Sequence, residues 1–182
     1  MARIEKDCLS LAKLEKSLIE DELVELYIVL YEEEPFADKT DKNTAESSVN
    51  KVWVADKKSW QDRVDEHTEK LFSRLDSVIT TSATLNRGTD ETELLIKKAV
   101  DVSFNESDTL VDTEFSHTMN VVLEDKYKDN NVKYAQFVCF HDNRTCAECL
   151  ARDGQIFKVG DPAYKIPVHP RCRCCSIPKT NN

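Results

Sequence analysis

The chain has 182 residues, 40% hydrophobic and 32% charged, with a net charge of −9. That length suits one domain, or one domain with an extra helical arm, and the acidic balance argues against broad nucleic-acid binding. No apolar run approaches the ~18 residues of a membrane span, and charges interrupt the start, MARIEKDCLSL, so neither a signal peptide nor a membrane contact is expected.

Residues 2–34 read as one long helix or two abutting ones. Ile4, Cys8, Leu11, Leu14, Leu18, Leu23, Leu26 and Leu30 recur at steps of mostly three and four. Pro35 ends the run, because the residue before a proline is pushed out of the helical region. The helix either packs on the protein's own core or serves as an arm for a partner. Residues 36–56 are polar and read as a linker or extended loop, with Val49, Val52, Trp53 and Val54 anchoring its far end.

A second helix is expected from near Ser59 to Asn86, with Trp60, Val64, Leu71, Leu75 and Val78 on one stripe and Gly88 as its C-terminal cap. His67 falls on that stripe as a packed core histidine. Thr89 offers a fresh N-cap, followed by acids that suit the helix dipole, for a short helix ending near Val102. A further helix is expected over residues 107–128, with Val111, Phe115, Met119 and Val122 as its stripe and Thr113, Glu114 and His117 beside it. Residues 133–140 and 155–159 read as strands, the second opened by the turn signal Asp153-Gly154. Pro162, Pro167 and Pro170 make the remainder read as an irregular loop.

The fold class is therefore α+β, mostly helical, with a small C-terminal β-hairpin module. Residues 1–56 form the arm and linker; residues 57–182 form the main domain, with helices over 59–128 and the β module over 132–178.

The tail carries the chemistry. Six of the seven cysteines lie after Phe137. In a reducing cytosol clustered cysteines are better read as metal ligands than as disulfides, with unliganded thiols as the plainer alternative. Zn²⁺ takes four Cys or His ligands in a tetrahedron. Cys146 and Cys149 make one half-site at i,i+3; His169 and Cys172 repeat the spacing and make the other. Cys174 is an alternative ligand, able to replace His169 or Cys172, while Cys175 and Cys139 are spare. Four protein ligands leave no open position, so the zinc is structural. No catalytic set is evident: the three glycines exclude a Gly-rich phosphate loop, and there is no nucleophile elbow. Residues 131–182 carry +4, leaving −13 on residues 1–130, so any contact with phosphate would come from the tail.

The tail resembles the head-morphogenesis, or minor head, proteins of the phage Mu F type. The likeness lies in Asp142-x-Arg144-Thr145-Cys146-x-x-Cys149, Asp153-Gly154, Phe157, and Pro167-x-His169-Pro170-x-Cys172-Arg173-Cys174. Thr113-Glu114 and Tyr127 match further positions, and the resemblance runs from about Trp60 to Cys174. It implies a non-enzymatic virion component of the phage head interior, made in the host cytoplasm. The implied partners are the portal protein and head or scaffold proteins. The implied role is head assembly at the portal vertex or DNA delivery; the +4 charge of the tail makes it the place where packaged DNA would be touched. Two other readings are a zinc-containing nucleic-acid-binding module and a metal-dependent nuclease using His141, Asp142 and His169. Because Glu114 borders an apolar stripe and Arg144 lies beside the first half-site, the two are expected to pair as a clamp of module on helix.

Overall fold

The computed structural model describes residues 2–33, 39–52 and 57–179. The stop at Pro35 and the anchors Trp53 and Val54 lie outside the described residues. Helix α1 spans Ala2–Glu32, α2 Lys42–Val49, α3 Trp60–Thr84 and α4 Thr89–Asp129. Strand β1 (Tyr134–Val138), helix α5 (Ala147–Arg152), strand β2 (Ile156–Lys158), a short 3-10 turn (Pro162–Tyr164) and strand β3 (Cys175–Lys179) follow. Among the described residues no helix is long and apolar enough to cross a membrane.

Leu23, Val24, Tyr27 and Tyr31 of α1 share one core with Ala45 and Val49 of α2, Trp60 and Val64 of α3, and Val122 of α4. Burying each large apolar side chain contributes ~1.5–3 kcal/mol, so the second half of α1 is bound into the helical body. The first half is different: Leu9, Leu11, Leu14 and Leu18 are exposed. Polar contacts close the same seam. Tyr27 Oη and Ser48 Oγ both donate to Asp125, at 3.0 and 2.9 Å, and Tyr31 donates to Asp129. Lys126 Nζ reaches the Leu30 carbonyl at 2.9 Å and also the Glu33 carbonyl. It supplies the cation that the last turn of α1 lacks.

Several expectations need correction. The stretch read as linker contains α2, started by Asp41, whose side chain accepts from the Thr44 N–H. Gly88 does not cap α3. The left-handed position is taken by Asn86, at φ 49°, and the Arg87 N–H closes back on the Ser82 carbonyl at 2.9 Å. Gly88 instead precedes α4, so Thr89 is the first residue of that helix rather than its cap. The two helices expected over 89–102 and 107–128 are one. Ser-Phe-Asn-Glu at 103–106 contains neither Gly nor Pro, and α3 holds it: Arg74 grips Glu106 with two bonds of 2.6 Å, and His67 Nε2 lies 3.0 Å from the Ser103 carbonyl oxygen. Apolar periodicity lapses there because polar contacts take over.

The sheet has the order β2-β1-β3, antiparallel throughout. β1 and β2 form the expected pair, Ala135 opposite Phe157. β3 stands where the prolines predict an irregular loop. It pairs with β1 over five residues, from Tyr134 opposite Lys179 to Val138 opposite Cys175. Its Pro178 is tolerated because β3 is an edge strand.

Candidate metal centre

Local geometry builds the first half-site. Cys146 is the N-cap of α5, and its Sγ lies 3.4 Å from the Cys149 N–H that it accepts. That bond, outweighing desolvation, holds the Cys146 thiol below its ordinary pKa, and His169 helps. Cys149 sits one turn on, 1% exposed. The second half-site comes from a tight turn in which the Cys172 N–H bonds the His169 carbonyl at 3.1 Å and Arg171 takes the left-handed φ of 56°. His169 Nδ1 lies 2.8 Å from the Pro170 carbonyl oxygen. Donation there leaves the Nε2 lone pair free, the arrangement of a metal-binding histidine.

The halves converge. His169 Nε2 is 3.3 Å from both Cys146 Sγ and Cys149 Sγ, and Cys149 Sγ is 3.9 Å from Cys172 Sγ. Cys149, Cys172 and Cys174 form a second trio sharing Cys149 with the first. A tetrahedral zinc has S···S edges of ~3.8 Å and S···N edges of ~3.6 Å, from its bond lengths. The two Cys–His169 distances and the Cys149–Cys172 distance lie within a few tenths of an ångström of those edges, and each of the two trios that share Cys149 could hold a metal ion. Burial, first, pushes the Cys149 thiol far up, and likewise lifts Cys174 to about 12. A metal would convert such buried neutral thiols into thiolates. Phe137, Ile166, Phe157 and Val168 pack around the sulfurs, and Phe157 stacks on Tyr164 at 4.7 Å between ring centres.

The expected Glu114–Arg144 clamp is not what holds the module. Glu114, 2% exposed, pairs with Arg63 of α3 at 3.1 Å, with His117 Nδ1 at 3.9 Å from its other oxygen. Arg144 is exposed, and its backbone N–H donates to Asp142 at 3.0 Å. The α4 stripe also differs. Val111 and Met119 are exposed, while Thr113, Glu114 and Thr118 are buried.

That polar face does the docking. Thr113 Oγ1 accepts the Arg171 N–H at 3.0 Å. Ser116 Oγ donates to the Cys172 carbonyl at 2.7 Å, Asn120 Nδ2 to that of Cys174 at 3.2 Å, and Tyr127 Oη to that of Ser176 at 2.9 Å. These residues repeat at helical spacing on one face, and they satisfy the backbone of the segment that carries the second half-site. Lys165 adds an ion pair to Glu124 at 2.8 Å. Sequence reasoning passed over Ser116 and Asn120, since hydrogen bonds to a distant backbone leave no pattern in the sequence.

Arg171 and Arg173 are engaged within the fold. Arg173 Nη2 donates to both carboxylate oxygens of Asp142 at 2.7 Å, and the guanidinium lies over the Phe140 ring at 5.1 Å. Arg171 pairs with Asp112 at 3.3 Å. His141, Asp142 and His169 have separate partners: Asp153, Arg173 and the Cys146–Cys149 pair. They do not form the single site that a nuclease would require.

A long helical scaffold thus carries a cysteine–histidine knuckle stitched to α4. The model of the phage Mu protein F like family matches residues 77–177, and the chain belongs to that family. No curated protein and no solved structure matches the chain. The matched span starts within α3 and ends within β3, so it contains α4, the docking row and all five donors.

Proposed function

We propose that this protein is a structural minor head protein of a tailed phage or prophage. It acts in head assembly at the portal vertex, in DNA delivery, or in both, and it is not an enzyme. The observation that carries the reading is the coincidence of the family match with the unit formed by α4, the sheet and the cysteine cluster. In this reading one zinc ion is held by Cys146, Cys149, His169 and Cys172, drawn from the two trios that share Cys149, with Cys174 able to replace His169 or Cys172. The zinc is structural. It ties the β1–β2 connection to the segment leading into β3, two pieces too small to bury a core of their own. Assembly then takes place on a rigid module presented by a helix of 41 residues.

The partners proposed are portal and head proteins. A DNA contact through the tail is the weaker part, since Arg171 and Arg173 already face Asp112 and Asp142. The test is to purify particles from the parent phage and from a derivative lacking this gene. The protein should be present in parental heads at low copy number and co-purify with the portal protein. The derivative should give heads of reduced infectivity. Absence of the protein from purified heads would defeat the proposal.

A further inference from the structure

A second donor set lies outside the cluster just described. Cys139 follows β1, His141 stands in the loop beyond it, and Asp153 caps the C-terminus of α5. Their Sγ, Nε2 and carboxylate oxygen lie within 4.8 Å of one another, and none of the three belongs to the other two trios.

Two of the donors are fixed by backbone. The Gly154 N–H bonds the Phe137 carbonyl and the Phe137 N–H bonds the Gln155 carbonyl, each at 2.9 Å. This zips the end of β1 to the turn after α5. Asp153 then accepts the Cys139 N–H on Oδ1 at 2.9 Å, which turns Oδ2 outward. His141 Nε2 meets Oδ2 at 2.9 Å and Cys139 Sγ at 4.0 Å. One ring nitrogen therefore faces a carboxylate oxygen and a thiol sulfur, and it has one proton or one lone pair to offer. It therefore engages one of the two at a time. A cation in the space common to all three satisfies them together.

We propose that Cys139, His141 and Asp153 form a second metal site, open to solvent, for a divalent transition metal of the zinc or cobalt type. The donor set is one sulfur, one imidazole and one carboxylate, a mixture that suits borderline-soft ions and not calcium or magnesium. Thiolate and carboxylate together balance the charge of a divalent ion; binding releases the thiol proton, and a neutral imidazole offers its Nε2 lone pair by carrying its proton on Nδ1. Edges of ~3.6 Å for S···N and ~3.4 Å for N···O, from tetrahedral bond lengths, require movements of about half an ångström or less from those present. Cys139 is buried, while the His141 side chain is 67% exposed. The fourth position therefore faces water, unlike the closed first cluster. The site does not depend on the zinc proposed for that cluster, since the donors are disjoint.

The test is titration of reduced, metal-free full-length protein with Co²⁺ alone, reading bound equivalents after gel filtration and the sulfur-to-cobalt charge-transfer band. The parent should bind two equivalents. His141→Ala, which changes an exposed loop side chain, should bind one, and Asp153→Asn, which keeps the oxygen that accepts the Cys139 N–H, should behave alike. Cys149→Ser should lose the other equivalent and retain the site at His141. One equivalent in the parent, lost only in Cys149→Ser, would overturn the second site and leave the first standing. Two equivalents unaffected by His141→Ala would overturn it as well. Loss in His141→Ala without loss in Cys149→Ser would sustain the second site and defeat the first.

Discussion

Arg63→Met should be among the most damaging single changes in the helical body. The substitution keeps the apolar stem of the side chain and removes the guanidinium 3.1 Å from Glu114. Both partners are withdrawn from water, with side-chain exposures of 14% and 3%. Breaking a buried pair from one side strands a charge and costs ~3–5 kcal/mol. His117 stands 3.9 Å from the second carboxylate oxygen and can absorb part of this, which favours the lower end. At ~2–4 °C per kcal/mol for a chain of this size, about 3 kcal/mol lowers the melting temperature by roughly 6–12 °C. Removing both charges in Arg63→Met/Glu114→Gln should restore most of the loss, because the stranded carboxylate is gone. Arg144→Met, by contrast, should stay within about 0.5 kcal/mol, as exposed substitutions do. Denaturant unfolding of the four proteins measures this. An Arg63→Met effect below about 0.5 kcal/mol, or an Arg144→Met effect as large as that of Arg63→Met, would refute the reasoning.

Ser116→Ala and Tyr127→Phe each remove one donor to the tail backbone and should cost ~1 kcal/mol; hydrogen exchange should accelerate at residues 171–176 while far-ultraviolet circular dichroism is unchanged. Removing residues 1–20 should leave a folded protein, since Leu9, Leu11, Leu14 and Leu18 are exposed, whereas removing residues 1–33 should cause aggregation through loss of Leu23, Val24, Tyr27 and Tyr31. Stability should hold from neutral pH down to the ordinary carboxylate range and fall below it. Arg74 holds Glu106 low; Glu124 is raised by burial but brought net lower by Lys128 and Lys165; Arg173 holds Asp142 low. Groups depressed in the folded state stabilise above their unfolded pKa of ~4 and lose that contribution as pH falls through the depressed value. Melting curves from pH 7 to 2 should follow that sign; a melting temperature that rises on acidification below pH ~4 would contradict it.

The legible parts of the sequence were those encoded locally. Cys146 and Cys149, and His169 and Cys172, each lie three apart, a spacing that lets both side chains of a pair turn toward one point. The β1–β2 pairing was carried by aromatic and β-branched runs around a turn. Contacts between distant segments were not legible. Arg63 lies 51 residues before Glu114, and nothing in local spacing prefers it to Arg144. Ser116 and Asn120 serve carbonyls more than 50 residues away. β3 was hidden by Pro178, which argues against a strand unless the strand is known to be an edge. The continuity of α4 was hidden because Ser103 and Glu106 are held by the polar side chains of α3, where an apolar count sees a gap. Asn86 outcompeted Gly88 for the left-handed position two residues earlier, a shift that caps permit either residue to make.

Zinc content tests the central claim most directly. Protein purified from a zinc-replete host is to be compared with its Cys149→Ser variant, which removes the sulfur common to both overlapping trios of the cluster. The account predicts that the variant carries one equivalent less than the parent, with helix content retained and the tail loosened. Equal zinc in the two proteins, or less than about a tenth of an equivalent in the parent where a structural zinc site is expected to be filled, would contradict it.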